Sequence, residues 1–204
     1  MNFLLATNNP AKVQELRPMF EAAGLEIICL KDLGLSFEAN EDGDTFTSNA
    51  IQKATETAIF LKENGHNYAV IADDSGLVIN ALNGEPGVDS ALYMGRDTPY
   101  TTKCQNLLDR LSATPDDKRT ARFVCVLACC WPDGHIQTVE AAMEGKIAHT
   151  IRRGNGFGYD PIFYYPPLDK TTAELTQDEK SKISHRGLAM QKMIGLIINE
   201  TSNN

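Results

Sequence analysis

Two adjacent carboxylates, Asp73 and Asp74, follow the apolar run Ala69-Val70-Ile71-Ala72 and precede Ser75-Gly76. Read as the end of a buried strand, they form an acidic pair suited to a metal ion and a water, because like charges this close demand a cation or a perturbed pKa. The plainer alternative is a hydrophilic turn, since Asp, Ser and Gly are common turn residues. Asn40-Glu41-Asp42-Gly43-Asp44 adds carboxylates just ahead of a helical pattern. Acidic groups there can decorate a helix start or serve a hard cation, which takes one or two carboxylates together with phosphate oxygens and waters. Glu41 with Asp74 would suffice for magnesium.

Anion chemistry has its own candidates. Thr7-Asn8-Asn9-Pro10-Ala11-Lys12 lies between a predicted strand and its helix, where free N–H groups and the helix dipole favour negative charge and Lys12 adds a full positive one. The segment lacks the Gly-x-x-x-x-Gly-Lys-[Ser/Thr] pattern, and the competing reading is an ordinary capped helix with a solvated lysine. Lys53, in the next helical segment, carries the same ambiguity. In Ser184-His185-Arg186-Gly187, Ser184 is a good N-cap, which puts two basic residues in a first helical turn. That is an electrostatically poor place for cations, better tolerated if the pair serves a ligand than if it decorates the surface.

These residues need positioning elements, and the hydrophobic pattern supplies them. Residues 2–6 read as a buried strand. Pro10 opens a helix with Val13, Leu16, Phe20 and Ala23 at helical spacing, Gly24 stops it, and residues 25–30 form a second strand. Strand, helix, strand at this spacing predicts a crossover unit and a partly parallel sheet. After an acidic, irregular stretch over 31–45, residues 46–64 are predicted helical. Residues 68–72 form the strand that delivers the Asp pair, and 77–79 a further short strand. Residues 83–98 read as a long loop and 99–111 as a helix. Residues 121–131 and 136–147 alternate around Pro132-Asp133-Gly134 as an antiparallel hairpin, so the sheet is mixed. A glycine-rich loop over 154–161 precedes the aromatic run 162–165, and the chain closes with a helix over 184–199. No repeat, linker or low-complexity segment interrupts it, and residues 1–204 read as one domain.

Composition narrows the function. With 204 residues, 42% hydrophobic and 23% charged, the chain matches an ordinary soluble globular protein. A net charge of -8 argues against a protein that tracks a nucleic-acid backbone, so an anionic ligand needs a locally positive pocket. Five cysteines, Cys29, Cys104, Cys125, Cys129 and Cys130, show no metal-type Cys-x-x-Cys pair; they read as buried, reduced core positions in a cytoplasmic protein. Secretion and membrane insertion find no support in the sequence.

Taken together and in order, six segments resemble the inosine triphosphate pyrophosphatase family, the non-canonical purine nucleoside triphosphate pyrophosphatases. They are 6–12, 72–77, 84–91 (Gly84-Glu85-Pro86-Gly87-Val88-Asp89-Ser90-Ala91), 156–163, 173–175 and 180–187, and they span nearly the whole chain. The resemblance implies an α/β fold: an elongated mixed β-sheet flanked by helices, with two lobes and a central active-site cleft, as a homodimer. It implies magnesium-dependent hydrolysis of ITP, dITP and XTP to the monophosphate and pyrophosphate.

Carried over by position, Thr7, Asn8, Asn9, Pro10, Ala11 and Lys12 would hold the triphosphate, with Lys180 as a further cationic contact and Lys53 a lesser one. Glu41 and Asp74 match metal positions. Asp74 also matches the general base, supported by Asp73. Ser75 matches a substrate contact, and Phe157, Gly158, Tyr159, Asp160, His185 and Arg186 match the walls of the base pocket. Glycines flanking Phe157 would let the loop approach a flat base that an aromatic ring can stack on. A donor from Arg186 or His185 to the 6-oxygen of hypoxanthine or xanthine would disfavour adenine, and an unaccommodated 2-amino group would reject guanine.

One departure stands out: Ser48 precedes Asn49-Ala50 where the family often has Glu, which weakens a metal role there. A non-catalytic purine nucleotide sensor is the alternative function, disfavoured by the retained carboxylates. An aspartyl-phosphate phosphatase lacks its nucleophile after the first strand.

Overall fold

The computed structural model describes residues 2–202. Its elements run β1 (Phe3–Leu5), α1 (Pro10–Ala22), β2 (Ile27–Cys29), α2 (Phe46–Glu63), β3 (Ala69–Ile79), α3 (Tyr100–Arg110), β4 (Thr120–Cys130), β5 (Ile136–Ile147), β6 (Phe163–Tyr165), β7 (Lys170–Thr171), α4 (Gln177–Ile183) and α5 (His185–Ser202). The strands form one seven-stranded sheet in the order β2-β1-β3-β4-β5-β6-β7. β1 pairs in parallel with β2 and β3, whereas β6 pairs antiparallel with β5 and β7, so the fold is the expected mixed α/β sheet. No helix among the described residues is long and apolar enough to cross a membrane.

The chain divides into two compact units, the first comprising residues 1–74, 125–141 and 186–204, the second 75–124 and 142–185. In the first unit β1 and the first half of β3 are buried on both faces, as an apolar run such as Ala69-Val70-Ile71-Ala72 requires. Alternation sorts their side chains. Phe3, Leu5, Ala69 and Ile71 pack with Leu16 and Phe20 of α1 and with Ala189, Met190, Met193 and Ile197 of α5. Leu4, Val70 and Ala72 meet α2 on the other face, through Ala50, Ala54 and Leu61. Each helix presents one stripe at i, i+4 spacing, which is what an amphipathic helix over a sheet must do.

In the second unit Leu77 and Ile79 pack with Leu107, Leu108 and Leu111 from α3 and its end, and with Phe123 and Phe163. The buried Arg119 guanidinium donates to the carbonyls of Leu111, Ile147 and Ala148, satisfying three groups at once. All five cysteines are free and buried, with Cys129 and Cys130 in different apolar clusters, as neighbours in a strand should be.

The structure corrects four expectations. Asp73-Asp74-Ser75-Gly76 is neither a turn nor a strand end: β3 runs unbroken through it, so the separate strand predicted over 77–79 is the second half of the same element. The polar pair is tolerated mid-strand because helices on both sides bring it partners. The loop over 83–98 contains a 3-10 segment, Gly87–Ser90. The closing helix begins at His185 and extends to Ser202, preceded by the unforeseen α4. α4 has almost no apolar stripe, so periodicity misses it, yet Thr176 and Glu179 close a capping box at its start.

Candidate active site

Strand alternation sends Asp73 and Asp74 to opposite faces of β3. Asp73, 1% exposed, continues the row of Ala69 and Ile71 and meets α1 and α5: Lys12 Nζ lies 2.9 Å from its Oδ2 and Arg186 Nε 3.5 Å. Burial alone would push its pKa up, but Lys12, Arg186 and Lys53 outweigh that and hold the carboxyl well below the usual carboxylate range. Asp73 is therefore a permanent anion that anchors cations.

Asp74 continues the row of Val70 and Ala72 and meets α2. Asn49 Nδ2 donates to its Oδ2 at 3.1 Å, and Lys53 Nζ approaches Oδ1 at 3.5 Å. Here burial prevails over the Lys53 charge and the Asn49 bond, and the negative Asp73 adds to it, so the pKa is raised. Asp74 is thus the more basic carboxylate, partly shielded but not neutralised.

Lys53 is not a solvated helix residue: it lies on the buried stripe of α2 and also approaches Glu41 Oε2 at 3.4 Å. Desolvation opposes its charge, but Asp73, Asp74 and Glu41 together raise its pKa. Oxygens of Glu41 and Asp74 thus converge on one cationic centre. Among the described residues no group of three or more His, Cys, Asp or Glu could hold a metal. The donor set fits a hard cation that takes two carboxylates and draws its remaining ligands from phosphate and water. Ser48 completes a capping box with Thr45 at the start of α2.

The loop before α1 is built by its own short polar side chains. Thr7 Oγ1 accepts from the Asn9 N–H at 3.2 Å, Asn9 Oδ1 caps the helix by accepting from Ala11 N–H at 3.0 Å, and Asn8 Nδ2 donates to the Phe37 carbonyl at 3.1 Å. Pro10 sets the first turn. The helix is capped as the plain reading held, but Lys12 is not solvated: Asp73 draws it in.

In the second unit the glycine-rich loop is organised by Asp160, 3% exposed. Its Oδ2 accepts from the Phe157 N–H at 2.8 Å and from Lys180 Nζ at 2.7 Å, and its Oδ1 accepts from Thr172 Oγ1 at 2.8 Å. The Lys180 ammonium also sits 4.7 Å from the Phe157 ring centroid. Lys180, expected as a triphosphate contact, is thus engaged with the loop itself. A Cβ on Gly154 would land on the Ala173 carbonyl, and one on Gly156 would come 2.5 Å from Asp160 Cβ, so both positions require glycine. Ser75 opens this unit in β3, directly after Asp74.

His185 and Arg186 are consecutive but differently employed. The His185 ring, 3% exposed, stacks on Phe123 with centroids 4.7 Å apart and planes at 16°. Arg186 Nη1 donates to Glu15 Oε2 at 3.1 Å, besides its approach to Asp73. Neither is surface decoration. Ser184 stands between α4 and α5, its N–H donating to the Lys180 carbonyl at 2.8 Å.

Three contributors escape sequence reasoning. Glu15 is a buried charge on the apolar stripe of α1, one turn from Lys12, and that misplacement is its signal. Asn49, 3% exposed, links Asp74 to the Gly43 N–H and betrays itself only as a polar residue beside Ala50 on a buried face. Thr172 carries no signal of its own.

Known proteins resemble this chain along nearly its whole length. A dITP/XTP pyrophosphatase of Exiguobacterium sibiricum is 45% identical over 193 residues, covering 95% of both chains. One of Bacillus subtilis is 44% identical over 194 residues, covering 95% of this chain and 96% of its own. The Staphylococcus aureus Ham1 protein superposes with a TM-score of 0.85 at 38% identity, over 98% of this chain and 100% of its own. The Ham1 family model matches residues 3–196. Near-complete coverage by sequence and by fold leaves one assignment: the chain belongs to the Ham1 family.

Proposed function

We propose that this protein hydrolyses non-canonical purine nucleoside triphosphates, ITP, dITP and XTP, to the monophosphate and pyrophosphate, removing deaminated purines from the nucleotide pool. The observation that carries the reading is the pair of unequal carboxylates in β3, one locked as an anion between Lys12 and Arg186, the other raised in pKa beside Asn49 and Lys53. Identities of 44% and 45% over 95% of this chain with relatives named dITP/XTP pyrophosphatases support the substrate class.

In this reading Asp74 accepts a proton from the attacking water, a task for which a raised pKa suits it. Asp73 positions Lys12, whose charge, with that of Lys53, offsets negative charge on the phosphates. Thr7, Asn8, Asn9, Pro10 and Ala11 shape the phosphate loop, and Ser75 is a further substrate contact. Glu41 and Asp74 would hold magnesium, which when bound neutralises charge on the phosphate oxygens.

Phe157, His185 and Arg186 would serve the base. Phe157 offers a ring for stacking, held by the bond from its own N–H to Asp160 and by the Lys180 ammonium over its face. His185 and Arg186 are held by Phe123 and by Glu15, the kind of fixed donor geometry that favours a 6-oxygen over a 6-amino group. Five free, buried thiols support a cytoplasmic setting, and the resemblance supports a homodimer.

The test is direct. Incubated with magnesium and ITP, dATP or dGTP, the protein should release pyrophosphate, not orthophosphate, and do so preferentially from ITP. Binding of ITP without any pyrophosphate would instead identify a sensor.

A further inference from the structure

Within the second unit, α3 carries a lysine that the proposed reaction does not use. Lys103 is 0% exposed, rare for a residue that normally keeps its ammonium in water. Its Nζ donates to the Ala91 carbonyl at 2.7 Å and lies 4.9 Å from the Tyr100 ring centroid. The preceding carbonyl, that of Ser90, accepts from the Tyr159 hydroxyl at 2.8 Å. Two consecutive carbonyls are therefore each held by a buried side chain, one from α3 and one from the glycine-rich loop.

The same turn is fixed from a third direction. Ser90 Oγ donates to the Gly87 carbonyl at 2.6 Å and accepts from the Leu77 N–H at 2.9 Å, which joins it to β3. α3 also meets the loop directly. Cys104 Sγ lies 3.7 Å from the Gly158 carbonyl, and the Tyr100 and Tyr159 rings meet edge-on with centroids 5.2 Å apart. Tyr159, 4% exposed, thus points its polar end into the protein interior, away from any ligand in solvent.

We infer that Lys103 and Tyr159 are positioning residues for base recognition: by clamping the carbonyls of Ala91 and Ser90 they fix the turn against which Phe157-Gly158 is set. This rests on the reading of that loop as the base-side wall. Tyr159 acts through its bond to Ser90 and does not touch the base. Lys103 acts at one further remove, through Ala91. Ser90 is 5% exposed, and a buried carbonyl deprived of its donor is costly enough that the turn would shift to find another.

Tyr159→Phe and Lys103→Met are tested for ITP turnover, for inhibition by inorganic tripolyphosphate, which has no base, and for amide exchange over residues 156–160 without nucleotide. The loss of one buried hydrogen bond predicts a rise in KM for ITP of about three- to thirtyfold. Both kcat and the tripolyphosphate inhibition constant should stay within about twofold, the range expected when binding geometry alone is altered. Exchange over 156–160 should quicken in both variants, and the double variant should show less than the product of the two effects. An unchanged KM in Tyr159→Phe, or ITP and tripolyphosphate weakening in parallel, would overturn the inference. Tyr159→Phe keeps the ring and loses one hydroxyl, so it carries the test even if Lys103→Met fails to fold. If the native enzyme released no pyrophosphate from ITP, the base-side reading would fall, while unaltered exchange would sink the clamp separately.

Discussion

Asp73 and Asp74 are consecutive in β3 yet serve opposite faces of the sheet, Asp73 bound to Lys12 of α1 and Asp74 to Asn49 of α2. Adjacency in sequence therefore does not make them a shared acidic site. One is stabilised as an anion by three cations, and the other is left more basic by burial. The division of labour predicts different consequences for the two conservative amide substitutions.

Asp74→Asn should remove the proposed proton acceptor while preserving shape. Pyrophosphate release from ITP should fall by about 10²–10⁴-fold, the usual contribution of a general base. Nucleotide affinity, measured by calorimetry, should change little. A variant with native turnover would show that the base lies elsewhere.

Stability should move the other way round. Asp73→Asn leaves Lys12 and Arg186 without their common anion, and breaking a buried ion pair from one side costs about 3–5 kcal/mol. Asp74→Asn removes a carboxylate whose charged form the fold disfavours, so urea unfolding should show it near native stability or above it. Equal losses in the two variants would contradict the assigned electrostatics.

Alkaline pH should destabilise the fold. The buried Cys104 and Cys129 thiols are each pushed up to about 12, chiefly by burial, from an ordinary 9.0. Below pH 9 both states keep these protons and nothing changes. Above it the unfolded chain releases them and the folded chain does not, so stability falls toward pH 12, by about 1.4 kcal/mol per pH unit for each thiol. Urea midpoints measured at pH 8, 9.5 and 10.5 should decline, and the decline should be shallower once both cysteines are replaced by alanine.

Two glycine substitutions should differ in sign. Gly154→Ala drives a methyl group into the Ala173 carbonyl and should displace the loop, raising KM for ITP and lowering the melting temperature. Gly195 lies within α5, and a Cβ added there would meet nothing within 4 Å. Gly195→Ala should add about 0.5–1 kcal/mol by restricting the unfolded chain and favouring helix, with unchanged turnover.

What the sequence determined by itself is local and periodic. Spacing along α1 and α2, the punctuation by Pro10, Gly24 and Gly65, and the alternation flanking Pro132-Asp133-Gly134 are properties of neighbouring residues, and they suffice for the crossover, the mixed sheet and most of the elements, though not for α4 or the unbroken β3. The ordered motifs that point to the family are legible for the same reason. Tertiary structure alone decided which charges meet. Lys12 finds Asp73 across the α1–β3 packing, and Glu15 finds Arg186 from 171 residues away. Lys12 and Lys53, which local pattern leaves free to be solvated, and Lys180, expected on phosphate, prove to be bound to Asp73, Asp74 and Asp160. No local pattern encodes those pairings, because a buried charge is stabilised by whichever opposite charge the packed helices bring within a few ångströms, and that distance does not exist until the chain has folded.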